Sequence, residues 1–212
     1  MASPRLAPHL PTAGRRLAPG ALILLGRGLL VLGLVVGVLW SVEATRAGLA
    51  WRTGQRLLAA GHYGAAVTAL ESAINTAPPG GGPDYDSTRA RLALSEGYLA
   101  QHDTRRATAV LPPAAADPTL AVELALQRSL IAAVAGDQAR AQAGLAALAA
   151  PLRTPGGSAG PALALRRAAL WHLAELRWHA GAPEAAADFA LLTRLPAAPH
   201  DPYTAAAWLR QA

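Results

Sequence analysis

The sequence predicts an all-α chain, with one membrane-spanning helix near the N-terminus and paired helices after it. Three observations carry this expectation. Alanine dominates, with runs such as Ala114-Ala115-Ala116 and Ala185-Ala186-Ala187. It is the strongest helix former, and its small side chain lets helices approach closely. β-Branched residues are scarce beyond the first apolar segment, which leaves strands without their usual material. Lastly, a self-similar pattern of small and large residues recurs along the rest of the chain.

The apolar segment runs from Ala21 to Val42, and Arg27 is its only charge. At roughly 1.5 Å of rise per residue it reaches across a hydrocarbon core of about 30 Å. Arg27 sits near one end, where a long side chain can snorkel to the headgroups. Trp40 sits near the other, where interfacial aromatics collect. Residues 1–20 carry Arg5, Arg15 and Arg16 and no acid, so the positive-inside rule keeps them in the cytoplasm. Residues 43–212 are then expected in the periplasm or outside the cell, which makes the chain a single-pass protein of the bacterial inner membrane.

Val42-Glu43-Ala44 also offers a signal-cleavage reading, but the basic stretch and the apolar run are both longer than usual for a leader. A buried soluble helix fits less well, because the segment has no polar face. Gly33, Gly37 and Ser41 follow one another at i, i+4 spacing. Small residues so placed let a second membrane helix come close, although the glycine excess of the chain produces such spacings by chance.

Composition excludes several functions. The chain has 0 cysteines, hence no disulfide, no cysteine-ligated metal and no thiol nucleophile. The net charge of +6 suggests nucleic acid until its distribution is read. From Glu43 onward arginines and acids are nearly balanced, and no basic stripe interleaved with aromatics occurs. Gly80-Gly81-Gly82 lacks both the preceding strand and the following Lys-Ser/Thr of a phosphate loop. The acids are scattered singly. A non-enzymatic chain is expected, with no cofactor and no small-molecule substrate.

The repeat is clearest from Gly61 to Pro78. A turn at Gly61-His62-Tyr63 precedes Ala66, Leu70 and Ala73 on one helix face, and Pro78 closes the segment. Gly54 and Leu57 supply a small and a large residue upstream. A second unit places Ser95 and Tyr98 before His102-Asp103, then Ala107, Leu111 and Ala114, with Pro118 near its end. The third has Ser129 and Ala132 before Gly136-Asp137, then Ala141, Leu145 and Leu148. In the fourth, Ala174 and Arg177 precede Gly181, then Ala186, Ala190 and Thr193. Loop compositions at residues 78–83 and 154–161 account for the uneven spacing.

This pattern resembles the tetratricopeptide repeat (TPR), over residues of about 47–199. The resemblance implies an α-solenoid of about four helix pairs, at 47–79, 88–120, 122–153 and 167–199, with a capping helix over 202–211 started by Asp201 and Pro202. In that family the first helix of each pair lines a concave groove. The groove-facing set implied here is Trp51, Gln55, Arg89, Glu96, Glu123, Leu130, Trp171, Glu175 and Trp178. Such a surface suits a peptide, tail or helix of another protein.

The expected function is a scaffold or adaptor in the bacterial envelope that assists assembly or secretion. The architecture is similar to accessory subunits of the secretion translocon and to the TPR parts of cytochrome c maturation assemblies. An integral accessory subunit of a larger membrane complex is the alternative. A metalloenzyme is a third reading, with His172, Glu175 and His179 near one face of a helix.

Overall fold

The computed structural model describes residues 19–77, 85–154, 162–195 and 202–211, with side chains from Leu32 onward except Ala205 and Gln211. The tail before residue 19, the side chain of Arg27, the loop stretches 78–84 and 155–161, and the cap at Asp201 lie outside the described residues. The described residues form nine α-helices and one 3-10 turn, with no strand. The chain divides into two compact units, residues 1–42 and 43–212, and helix α1 (Pro19–Ala59) contributes to both.

In the first unit the described side chains of α1, from Leu32 onward, are uncovered. Leu32, Leu34, Val36, Val38 and Leu39 are each more than half exposed. One helix near the N-terminus is therefore long and apolar enough to cross a membrane. A Cβ built on Gly33 or Gly37 would meet nothing, and the Ser41 hydroxyl donates to the Val38 carbonyl at 2.8 Å. Gly33 and Gly37 thus stand open among the described residues.

The second unit is built from helix-turn-helix pairs. The last turns of α1 pair with α2 (Tyr63–Thr76), and α3 (Ser87–Ala100) with α4 (Thr104–Val110). Likewise α5 (Pro118–Val134) pairs with α6 (Gln138–Ala149), and α7 (Leu163–His179) with α8 (Glu184–Arg194). Helix α9 (Pro202–Gln211) follows and packs on both α8 and α7. Successive first helices also touch, α3 with α5 and α5 with α7.

Each turn uses the same hydrogen bonds. Among the described residues, Gly61, His102, Gly136 and Gly181 have positive φ, at 77°, 60°, 84° and 69°. The amide after each reaches back across the turn, from His62, Asp103, Asp137 and Ala182 to the carbonyls of Leu57, Tyr98, Ala132 and Arg177. This is the left-handed helix cap, and it folds the next helix back on the last. Glycine adopts it without strain, and His102 is the one non-glycine among the described residues to do so.

Seven residues before each cap stands a buried small residue: Gly54, Ser95, Ser129 and Ala174. The reason is close packing. A Cβ on Gly54 would lie 2.6 Å from Leu70 Cγ. Ala66, Ala107 and Ala141 are fully buried after their turns, as are Leu70 and Leu145. The singly scattered acids acquire a role as well. The Asp86, Asp103, Asp117 and Asp137 carboxylates accept from backbone amides at the starts of α3, α4, α5 and α6.

The structure corrects three details of the expected register. Helix α4 ends at Val110, because Pro112 and Pro113 force the chain into an extended course. Leu111 is then the C-cap and Ala114 is exposed beyond the helix. Pro118 does not close that unit; it opens α5, with Asp117 as its cap. In the fourth pair the buried face is Ala185, Asp188, Phe189 and Leu192, one residue off the expected Ala186, Ala190 and Thr193. The cause is a tighter first turn at Pro183. Ala185 N–H bonds to the Ala182 carbonyl three residues back, where Ala66, Ala107 and Ala141 reach back four. Arg177, unusual at a position that favours a large apolar residue, is explained by charge. Its Nη1 and the Nη2 of Arg153 each lie 2.6 Å from the buried Asp188 carboxylate.

Candidate partner-binding groove

A concavity of about 450 Å³ opens between the first helices α1, α3 and α5. Trp51 and Gln55 line it from α1, Arg89 and Glu96 from α3, and Glu123 from α5. These five come from the expected groove set, and the structure brings them together. Leu58, Ala59, Leu92, Ala93 and Gln127 complete the lining. The sequence reading missed these, although Leu92 and Ala93 were signalled by their place on the Arg89–Glu96 face.

Trp51 is 8% exposed and sits among Ala47, Leu70 and Ala90, so only an edge of it reaches the concavity. The chemistry around it is acidic. Glu96 reaches water at the mouth, yet the surrounding protein raises its carboxyl above the ordinary range. Glu123 is raised too, by burial first and then by Glu96 and Asp86, with Arg89 opposing. Among the described residues neither carboxylate has a hydrogen bond or ion pair. Arg89, the only cation in the lining, lies 3.6 Å from the Asp86 carboxylate at the start of its own helix. Gln127 Nε2 approaches Ser95 Oγ at 3.4 Å, and Gln55 is exposed.

The remaining expected residues do not join this set. Leu130 packs with Leu126, Leu145 and Leu173 between helices. Trp171 lies edge-on to Phe189 at 5.4 Å and beside Tyr203 of α9 at 6.1 Å, inside the fourth pair. Trp178 is exposed at its rim, 6.3 Å from Phe189. Glu175 is held by Arg210 of α9, with Nε–Oε1 3.0 Å and Nη2–Oε2 3.2 Å. That pairing also removes Glu175 from the metal reading. His179 Nε2 lies 3.7 Å from Glu175, while His172 is half-buried against Tyr203, which lowers its pKa. Among the described residues no group of three potential ligands could hold a metal ion.

A second hollow, of about 530 Å³, borders α4, α5 and α6. It opens beside the shortened α4 and is lined by Arg105, Arg128 and Arg140 over Leu111 and Ile131. Arg128 Nη2 donates to the carbonyls of Pro112 and Pro113 at 2.8 Å each. Pro112-Pro113 was its signal in the sequence. Searches for family models, curated proteins and solved structures similar to this chain gave no match.

Proposed function

We propose that this chain is a membrane-anchored, TPR-like scaffold whose concavity between α1, α3 and α5 binds a segment of another envelope protein. One observation carries the reading. Three successive first helices leave a polar, partly desolvated concavity, while the equivalent first-helix surface of α7 is covered by α9. Stacked helix pairs provide a long recognition surface with no need of catalytic groups. The repeated turn hydrogen bonds and buried small residues support the TPR-like assignment. The uncovered apolar flank of α1 and the arginines before it support an inner-membrane anchor with residues 43–212 outside the cytoplasm.

Topology is testable because the chain has 0 cysteines. A membrane-impermeant maleimide should label Gln101→Cys in intact spheroplasts and leave Thr12→Cys unlabelled until lysis. The reverse pattern would place the repeats in the cytoplasm. A photo-cross-linking residue at Gln55 in cells should then capture one discrete partner.

A second reading rests on the open Gly33 and Gly37 positions, which would let α1 dock on other membrane helices of a larger complex. Stoichiometric co-purification in mild detergent, lost on Gly37→Leu, distinguishes this subunit role from a free adaptor.

A further inference from the structure

The fold contains its own example of what the acidic position of a first helix accepts. Glu96 on α3 and Glu175 on α7 each follow the buried small residue, Ser95 or Ala174, and each precedes a turn of the same hydrogen bonding. They are equivalent places in two repeats. At Glu175 the next first-helix neighbour, α9, supplies Arg210, whose guanidinium meets both carboxylate oxygens at 3.0 and 3.2 Å. At Glu96 the equivalent neighbour, α5, turns its one arginine, Arg128, to the Pro112 and Pro113 carbonyls. It brings Glu123 and Gln127 to the concavity instead.

We infer that the concavity between α1, α3 and α5 receives an arginine of a basic polypeptide segment, which sits on Glu96 and Glu123 as Arg210 sits on Glu175. This rests on the groove reading above and names the chemistry of the partner. Charge complementarity favours it. Two carboxylates from two helices face the same space, and the single cation in the lining, Arg89, is 3.6 Å from Asp86. A planar guanidinium matches carboxylate geometry with paired hydrogen bonds, which a lysine ammonium cannot reproduce. Gln55 and Gln127 offer amide groups to the backbone of an incoming segment. Burial that raises Glu96 and Glu123 means that their ionised forms are held at a cost in the free protein, which a bound guanidinium would relieve.

The test uses the full chain in detergent micelles and three fluorescent nonapeptides of Ala, Gly and Ser carrying Arg, Lys or Gln at two central positions. The arginine peptide should bind, the lysine peptide more weakly, and the glutamine peptide not measurably. Glu96→Gln should weaken the arginine peptide by about tenfold, and Glu96→Gln/Glu123→Gln by more, as charge-assisted hydrogen bonds are lost. Glu184→Gln, exposed at the start of α8 and absent from the lining, should leave binding unchanged. The melting temperature separates a binding role from a structural one: it should hold or rise in the double variant, because two costly charges are removed.

Equal affinity for the arginine and glutamine peptides would overturn the inference, as would unchanged binding in the double variant. If the double variant does not fold, the comparison of the three peptides on the native chain decides alone. A partner that cross-links at Gln55 through a segment without arginine would keep the groove and overturn its proposed chemistry. No capture at Gln55 would count against the groove itself.

Discussion

The two ends of the repeat unit solve the same problem in opposite ways. At the α7–α9 end the first-helix surface is closed. Trp171 packs between Phe189 and Tyr203, Glu175 is clasped by Arg210, and Asp188 is buried between two arginines. At the α1–α3–α5 end the surface is open, and the glutamate equivalent to Glu175 has no guanidinium partner among the described residues. A repeat position therefore dictates where a side chain points, but the following helix dictates whether its charge is matched. The closed end pairs its polar groups within the fold, and the open end leaves Glu96 and Glu123 without a hydrogen bond or ion pair among the described residues.

The largest expected effect breaks the closed end. Asp188→Ala leaves Arg153 and Arg177 facing each other with no carboxylate between them. Removing one member of a buried ion cluster costs about 3 kcal/mol or more, so thermal unfolding should shift down markedly. An unchanged melting temperature would show that the cluster is solvated. Next come the turns that both ends share. Gly136→Ala places a Cβ at φ 84° and should cost about 1–2 kcal/mol by denaturant titration. His102→Gly should act in the opposite sense by about 0.5 kcal/mol, because glycine relieves the left-handed strain while giving up more backbone freedom.

A smaller effect would convert one end towards the other. Arg210→Ala frees Glu175 and should cost only about 0.5 kcal/mol, since both partners are partly solvated. The freed Glu175 should then add a weak second site for the arginine peptide. The smallest effect is in pH. Raised carboxyl values mean that the folded chain keeps protons on Glu96 and Glu123 where the unfolded chain has released them. Their contribution to stability therefore improves as pH falls from neutrality through the raised values, and is constant above them. Arginine-peptide binding should move the other way, weakening in the same window, which extends upward from the ordinary glutamate value. The charges acting on Glu123 are Arg89, which lowers its pKa, and Glu96 and Asp86, which raise it, so Arg89→Gln should move its half of the window upward.

Much of this was legible in the sequence because it depends on short-range chemistry. The positive-φ turn at Gly61, Gly136 or Gly181 and the small residue seven places before it are local requirements of a tight helix pair. The apolar flank of α1 is legible for the same reason, since length and hydropathy alone define it. Features set by neighbours were not legible. Nothing near Trp171 announces that α9 will cover it, and nothing near Glu175 announces Arg210. The one-residue shift in α8 came from a single tighter hydrogen bond at Pro183. Pro118 was ambiguous by nature, because proline ends one helix and begins another with equal ease.

The contrast between the ends is tested most directly by one cross-linking comparison. A photoreactive residue is placed at Gln55 or at Glu175 in the full chain in detergent micelles, and the labelled arginine nonapeptide is added to each. Capture at position 55, competed by unlabelled arginine peptide and not by the glutamine peptide, with little capture at position 175, is the expected result. Equal capture at both positions, or capture at 175 alone, would contradict the assignment of the α1–α3–α5 concavity as the open, arginine-accepting end.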